Sequence, residues 1–473
     1  MKTTAGKKVH PADKLAYRRQ VVWDRLGKDE IMEAFALSRD YKKFLSEAKT
    51  EREVSAATET LLKKSRFKPL DTKNRLKPGD RVYLLNRHKA LIAAVIGRKP
   101  LEEGLRVIGA HGDSPRLDLK QSPLFEEADL ALGKTHYYGG IKKYQWLTIP
   151  LSLRGVIITA NGKKTTVNIG DKPEDPVFTI TDLLPHLAKD QLEKKLGEAI
   201  PGENLNFLAG SLPLPDREIK ERFKMALLAN LNAAYGITEE DLISAELELV
   251  PAGQARDVGF DAGLMGGYGQ DDRVCVYTAL RALLEIKAPE YTSLFLLVDK
   301  EEIGSTGNTG MESAFMANAV REIACRVAAD YTELTSRRAL RQSLALSADV
   351  NAGLEPNHGD VSDKLNAARI GGGLVLAKYT GSRGKSQTND AHAETVARLR
   401  GIFNRAGVVW QTGELGKVDQ GGGGTIAYML AASGMDVIDC GVPLLSMHSP
   451  FEIASKADIY MAYKGYKAFW SAE

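Results

Sequence analysis

The chain has 473 residues, with 64 Lys and Arg against 61 Asp and Glu, a net charge of +3. That length exceeds one ordinary domain, and the near-balanced charge excludes a polyanion binder, which needs a strong basic excess. Hydrophobic residues at 43% and a mean hydropathy of −0.24 describe a globular chain with material for a real core. Only three cysteines occur, Cys275, Cys325 and Cys440, with no CxxC pair. They exclude a disulfide scaffold and a Cys-ligated zinc site and suit a reducing compartment. Histidines number only 8, so a bound metal would take most of its ligands from carboxylates. No apolar run reaches membrane-spanning length, and residues 1–14, polar and basic, lack the apolar stretch of a secretory signal. Cytosol is the expected compartment, with neither nucleic acid nor membrane as partner.

In chain order, Trp23, Leu26, Ile31, Met32, Phe35, Phe44 and Leu45 recur at helical spacing among charges, which predicts helices over 12–64. From about 81 the period changes. Segments 81–86 and 91–96 read as strands, and 105–111 is a short apolar run of the kind buried on both faces. Residues 125–255 have a different texture. Short β-like pieces at 146–153, 155–159, 165–169 and 177–180 are separated by turns, then come an amphipathic helix over 216–235 and a strand at 245–250. We read 126–255 as an inserted β-rich domain that interrupts a discontinuous unit, 1–125 and 256–473. From 271 helices are predicted at 272–286, 311–329, 394–406, 425–434 and 457–470. Between them lie strands at 293–298, 344–348, 408–412 and 437–440. Alternation of this kind predicts an α/β fold, a mostly parallel sheet with helices on both faces.

In an open α/β sheet, function collects outside the carboxyl ends of the strands. The polar residues expected there are His111 and Asp113, Glu301 and Glu302, and Asp349; Asp271 and Asp272 open a helix, and His448 follows an apolar stretch. Each has a plain structural role open to it. Asp271–Asp272 suits a helix cap, Glu301–Glu302 a solvated turn, and His448 a hydrogen-bonded core position. His111-Gly-Asp113 is sharper, because Asp113 can hold the second ring nitrogen as partners of ligating histidines do. Joint occurrence at successive strand ends raises the functional reading above any single residue. Two adjacent glutamates suit a two-metal hydrolase, in which one ligates and its neighbour takes a proton from the attacking water. Neighbours on a regular strand face opposite ways, so the pair must sit where the strand breaks. The glycines at 304–310 and 421–424 lack the spacing or the lysine of a nucleotide loop. They are expected to let the backbone pass close to the site.

These residues resemble the M18 metalloaminopeptidases, the aspartyl aminopeptidase and aminopeptidase I group. The matching segments are Ala110-His111-Gly-Asp113-Ser-Pro115, Gln270-Asp271-Asp272-Arg273, Asp299-Lys-Glu301-Glu302-Ile-Gly304, Ser347-Ala-Asp349 and Ser446-Met-His448-Ser449, in family order. The resemblance implies a zinc-peptidase-like catalytic domain interrupted by a β-rich domain used in subunit association. It also implies two divalent ions, zinc or else cobalt or manganese. Carried over by position, His111 and Asp349 hold one metal, Glu302 and His448 the other, and Asp271 bridges. Glu301 becomes the general base and Asp113 orients His111. The implied reaction is release of the N-terminal residue from peptides with a free N-terminus, inside a tetrahedral homododecamer.

Departures leave the N-terminal preference open. Ala352 and Glu355 stand where acid-preferring members carry histidines, and the strand at 149–156 has none to offer a neighbouring subunit. His136 is a candidate substitute there. Lys378, Arg383 and Lys385 are candidates for binding an acidic side chain. A carboxypeptidase or an amidohydrolase of blocked amino acids remains a rival reading, as does a non-catalytic binding shell.

Overall fold

The apolar run Leu105–His111 cannot be a one-sided strand, because every residue in it is buried. The same holds for Thr292–Val298. In the computed structural model, which describes residues 15–473, these two strands lie side by side and parallel, with Val298 opposite His111. Leu344–Ser347 continues the parallel set on the far side of Leu105–His111, and Asp436–Gly441 follows it. Flanking strands complete nine in the order Lys68–Pro69, Arg81–Asn86, Ala90–Val95, Thr292–Val298, Leu105–His111, Leu344–Ser347, Asp436–Gly441, Leu374–Ala377, Trp410–Thr412. The centre is parallel and each margin carries an antiparallel pairing, so the sheet is mixed but mostly parallel.

Alternate residues of each central strand feed different cores, as the two-residue repeat requires. Ile108, Ala110, Phe295 and Leu297 pack with Tyr41, Leu280, Phe403 and Trp470 from helices Lys28–Glu47, Gln270–Glu285, Ala393–Arg405 and Lys456–Ser471. Val107, Leu294, Leu296 and Val298 pack with Ile323, Ala339 and Leu430 from helices Phe315–Val327, Glu333–Arg341 and Ala427–Ala432. Helices therefore cover both faces.

A second, antiparallel sheet of six strands runs Lys164–Ile169, Leu151–Ile158, Ala245–Pro251, Arg116–Glu127, Leu130–Tyr138, Asn206–Gly210. Its own core gathers Trp146, Phe207 and Leu249. The sheet opens at Arg116, three residues after Asp113, so the chain passes directly from the edge of the first sheet into the second.

Several predicted elements differ. The pieces at 146–153 and 155–159 are one strand, Leu151–Ile158. Gly155 lies within it at φ +136, and a Cβ there would meet the Glu246 carbonyl at 2.0 Å, so only glycine lets the strand pass. Residues 177–180 form no strand, only a bridge from Phe178 to Leu151. The helix at 216–235 starts at Arg222, after Glu221 turns the chain at φ 50. The helix at 311–329 starts at Phe315, because Glu312 is tied back to the Ser305 carbonyl. The predicted 12–64 helical stretch is the pair Lys28–Glu47 and Glu51–Lys64; its first three residues, and the basic 1–14 segment, lie outside the described residues.

A seam of paired charges joins the two sheets at the start of helix Glu51–Lys64. Lys49 Nζ reaches Asp171 at 3.0 Å and the Pro251 carbonyl at 2.8 Å, and Arg154 donates to Glu53 at 2.7 Å. Arg116 lies 3.3 Å from both Glu51 and Glu248. Such charges are tolerated in a dry interface because each has an opposite partner. Among the described residues no helix is long and apolar enough to cross a membrane.

Candidate active site

The register of Val298 against His111 brings two strand ends, and the loops after them, to one edge of the sheet. His111 closes its strand with its side chain almost wholly buried. Beyond Val298 the chain breaks: Lys300 takes φ 67, Glu301–Ile303 forms a single 3-10 turn, and Gly304 leaves it at φ 92. That break lets Glu301 and Glu302 both turn inward. Asp271 and Asp272 do not cap a helix. Their backbone angles are non-helical, neither side chain bonds the helix end, and the peptide between them is cis. Asp349 follows strand Leu344–Ser347, and His448 sits at φ 63 after strand Pro443–Leu445.

All seven predicted residues meet at this edge. Asp271 is central: its Oδ1 lies 3.2 Å from His111 Nε2 and its Oδ2 lies 3.2 Å from His448 Nε2. Glu302 stands 3.5 Å from His448 Nε2. Asp349 and Glu301 stand 4.0 Å and 3.9 Å from His111 Nε2. Two sets of potential ligand atoms lie within 4.8 Å of one another, His111 with Asp271 and Glu302, and His111 with Asp272 and Asp349.

The far nitrogens define the tautomers. His448 Nδ1 donates to the Gly140 carbonyl at 2.8 Å. His111 Nδ1 faces the Asp113 main-chain carbonyl at 3.1 Å, with the Asp113 carboxylate at 3.4 Å. A carbonyl only accepts, so both Nδ1 atoms carry protons and both Nε2 atoms face the carboxylates. The carboxylate of Asp113 mainly serves others. It accepts the main-chain N–H of Glu301 at 3.2 Å, that of Glu302 at 3.1 Å, and the Tyr138 hydroxyl at 2.8 Å.

Electrostatics mark the cluster as anionic and crowded. Burial, reinforced by the charge of Asp271, pushes Glu302 well above the usual carboxylate range. Burial and the Glu301 charge do the same to Asp349. Burial raises Glu301 to about 7. For Asp271 burial acts upward, but hydrogen bonds to the two histidines outweigh it and hold the carboxyl low. Burial would lower both imidazoles, yet bonds to Asp113 and Asp271 hold His111 well above its ordinary value, and Asp271 with Glu302 brings His448 to about 10. Buried Glu302 Oε1 has no hydrogen-bond partner among the described residues.

The cluster opens on a cavity of about 420 Å³ whose wall is completed by Thr380, Leu415, Thr425, Tyr428, Met429 and Met447, with no Lys or Arg among the described residues. Lys378 and Lys385 do not line it and are engaged by Asp390 at 3.1 and 2.9 Å. Arg383 borders a small neighbouring pocket instead. His136 lies on the second sheet with its Nδ1 on the Tyr137 carbonyl, away from this cavity. A larger apolar cavity, about 490 Å³ and lined by Leu153, Phe178 and Phe207, belongs to the second sheet and touches none of the seven.

Three partners were not legible in the sequence. Glu452 accepts the main-chain N–H of Asp271 at 3.1 Å and of His448 at 2.8 Å. Tyr138 and Gly140 reach in from the second sheet. No motif marks them, since their roles exist only through contacts distant in sequence.

A family model described as Aminopeptidase I zinc metalloprotease (M18) matches residues 44–470. A probable M18 family aminopeptidase 1 of Clostridium acetobutylicum is 53% identical over 451 residues, covering 94% of this chain and 97% of that protein. The crystal structure of an M18 aminopeptidase from Thermotoga maritima, 49% identical, superposes with a TM-score of 0.93 over 96% of this chain and 100% of the other. Aminopeptidase I from Borrelia burgdorferi, 40% identical, gives 0.83 over 96% and 100%. The chain therefore belongs to the M18 family of zinc metalloproteases, and it is an aminopeptidase, a metallo-hydrolase acting on the N-terminal residues of peptides.

Proposed function

We propose that hydrolysis runs on two divalent cations, zinc foremost with cobalt or manganese as alternatives. His111 and Asp349 hold one, Glu302 and His448 the other, and Asp271 lies between. The observation that carries this reading is the placement of the two imidazole Nε2 atoms on opposite oxygens of one carboxylate, 3.2 Å each. The donor set fits. Both imidazoles have their far nitrogens occupied, as metal-ligating histidines do. Three carboxylates offset most of the charge of two dications, and the partnerless Glu302 Oε1 is a buried acceptor awaiting a positive group. The crowding that raises Glu302 and Asp349 is what such cations relieve.

When bound, the cations would supply the charge that polarises the scissile carbonyl and acidifies the attacking water. The chain moves the proton. Glu301 takes it from the water and returns it to the departing amine. Burial raises its carboxyl above the ordinary range, which strengthens it as a proton acceptor. Asp113 fixes this base through the Glu301 and Glu302 N–H groups. A wall of carboxylates without a cationic side chain suits the ammonium end of a peptide and offers nothing to a C-terminal carboxylate. That argues against the carboxypeptidase reading.

The same wall favours uncharged first residues. Leu415, Met429 and Met447 supply apolar surface, and an aspartate or glutamate side chain would find no lysine or arginine to pair with among the described residues. A screen of leucine, methionine, aspartate, glutamate and arginine amides on metal-free enzyme refilled with zinc, cobalt or manganese tests reaction, cofactor and preference together. Leucine and methionine amides should exceed the acidic ones in kcat/KM by about tenfold or more. Acidic amides leading, N-acylated amides cleaved in preference, or rates indifferent to metal would each overturn the reading.

We assign residues 126–255 to self-association, toward the homododecamer that the family resemblance implies. Leu183, Leu187, Leu192 and Leu196 stand exposed there, a concentration of apolar side chains typical of surfaces that are covered. Light scattering behind size exclusion should give a mass several-fold above 51.6 kDa. Replacing those four leucines by serine should lower it, and a monomeric wild type would sink the assignment. The three unpaired cysteines fit the reducing cytosol.

A further inference from the structure

One short segment of the second sheet touches the partners of both imidazoles. Tyr138, the last residue of strand Leu130–Tyr138, donates its hydroxyl to Asp113 Oδ2 at 2.8 Å. Two residues on, the Gly140 carbonyl accepts from His448 Nδ1 at 2.8 Å. The two contacts differ in kind. The one on His448 is backbone and survives any side-chain change. The one on Asp113 is a single hydroxyl, and much hangs on it. Asp113 carries the N–H groups of Glu301 and Glu302, and its carboxylate lies 3.4 Å from His111 Nδ1.

Tyr138 is itself held firmly. The Arg116 guanidinium lies over its ring at 3.9 Å, and Arg116 is anchored between Glu51 and Glu248, 3.3 Å from each. Glu51 belongs to the helix that seams the sheets, and Glu248 to a central strand of the second sheet. A continuous path thus runs from the inter-sheet seam through Arg116, Tyr138 and Asp113 to His111. In a dry site, removing one donor from a buried carboxylate leaves that carboxylate free to turn, and every group it holds loses its reference.

We propose that Tyr138 is a positioning residue through which the second sheet fixes the Asp113 carboxylate and so sets how tightly the centre holds its cations. The proposal rests on the two-cation reading. Loss of the group that orients a metal-ligating imidazole typically weakens the metal about 10- to 100-fold. The Asp113 carboxylate stands beside His111 and also carries the Glu302 N–H, so the effect should reach both cations.

The test uses the full-length enzyme and its Tyr138→Phe variant, which keeps the ring against Arg116 and removes only the hydroxyl. Both are stripped of metal and titrated with Zn²⁺ against a chromophoric chelator, and the thermal unfolding of the metal-free forms is recorded. The wild type should take up two cations. Tyr138→Phe should also take up two, both bound tenfold or more weakly, with metal-free unfolding unaltered. In an Asp113→Asn background, adding Tyr138→Phe should cost no further affinity. Two wild-type affinities retained in Tyr138→Phe would overturn the inference alone. So would a loss of affinity matched by a loss of metal-free stability, since that marks a merely structural role. A wild type that binds fewer than two cations sinks the two-cation reading, and the inference with it.

Discussion

Glu301→Gln should lower kcat by about 10²–10⁴-fold, the usual contribution of a positioned general base, while cation content and KM stay near the wild-type values. The substitution keeps the side chain's size and removes its basicity. The main-chain N–H of Glu301 still reaches Asp113, so the loop that carries Glu302 keeps its place. The pH profile adds a signature. The base works only when ionised, so the rate rises with pH through the Glu301 value. In the metal-free protein that value is about 7, set first by burial. Two cations nearby favour the ionised form and draw it lower. The acid limb should therefore lie below 7, and the residual rate of Glu301→Gln should lack it. Steady-state kinetics across pH, with metal content measured on the same samples, decides this. An unchanged kcat would remove Glu301 from the mechanism whatever the fold.

Asp271→Asn should affect both cations at once, and more than the loss of an orienting partner does. We expect each affinity to fall by more than about 100-fold, with hydrolysis falling alongside. The physical reason is the central position of this one side chain. Its two oxygens face the two histidines, and the amide has one oxygen and no charge with which to replace them. Asp271 is also fixed along its main chain, by Glu452 on its N–H and by the Ser114 hydroxyl on its carbonyl at 2.6 Å. The amide should therefore occupy the same space without disturbing the fold. Asp349→Asn is the contrast, since of the two histidines it lies near His111 and should weaken one cation. If Asp271→Asn and Asp349→Asn give the same one-sided loss by chelator competition, Asp271 is not shared and the bridged arrangement fails.

The sequence reading reached seven of the residues that converge, because each is of a ligating type at the end of a short apolar run or the start of a helix. Those signals are local. Asp271–Asp272 suits a helix cap by the same local signal, yet both have non-helical backbone angles and no side-chain cap bond forms. Lys378 and Lys385 looked available for an acidic substrate in sequence, yet Asp390, in the same loop, engages both. The assignment of Asp113 to the second nitrogen of His111 needed refinement too: its main-chain carbonyl lies nearer than its carboxylate.

By itself the sequence determined the alternation of strands and helices, the change of texture that became a second sheet, and the kinds of ligand on offer. These depend on side-chain type and on repeats a few residues long. Tertiary structure alone decided who stands behind those ligands. Glu452 holds Asp271 across 181 residues, Gly140 holds His448 across 308, and Tyr138 reaches Asp113 from another sheet. Such partners obey no spacing rule, because a hydrogen bond needs only a donor and an acceptor about 3 Å apart, and parallel strands joined by crossovers bring together whatever the register sets side by side.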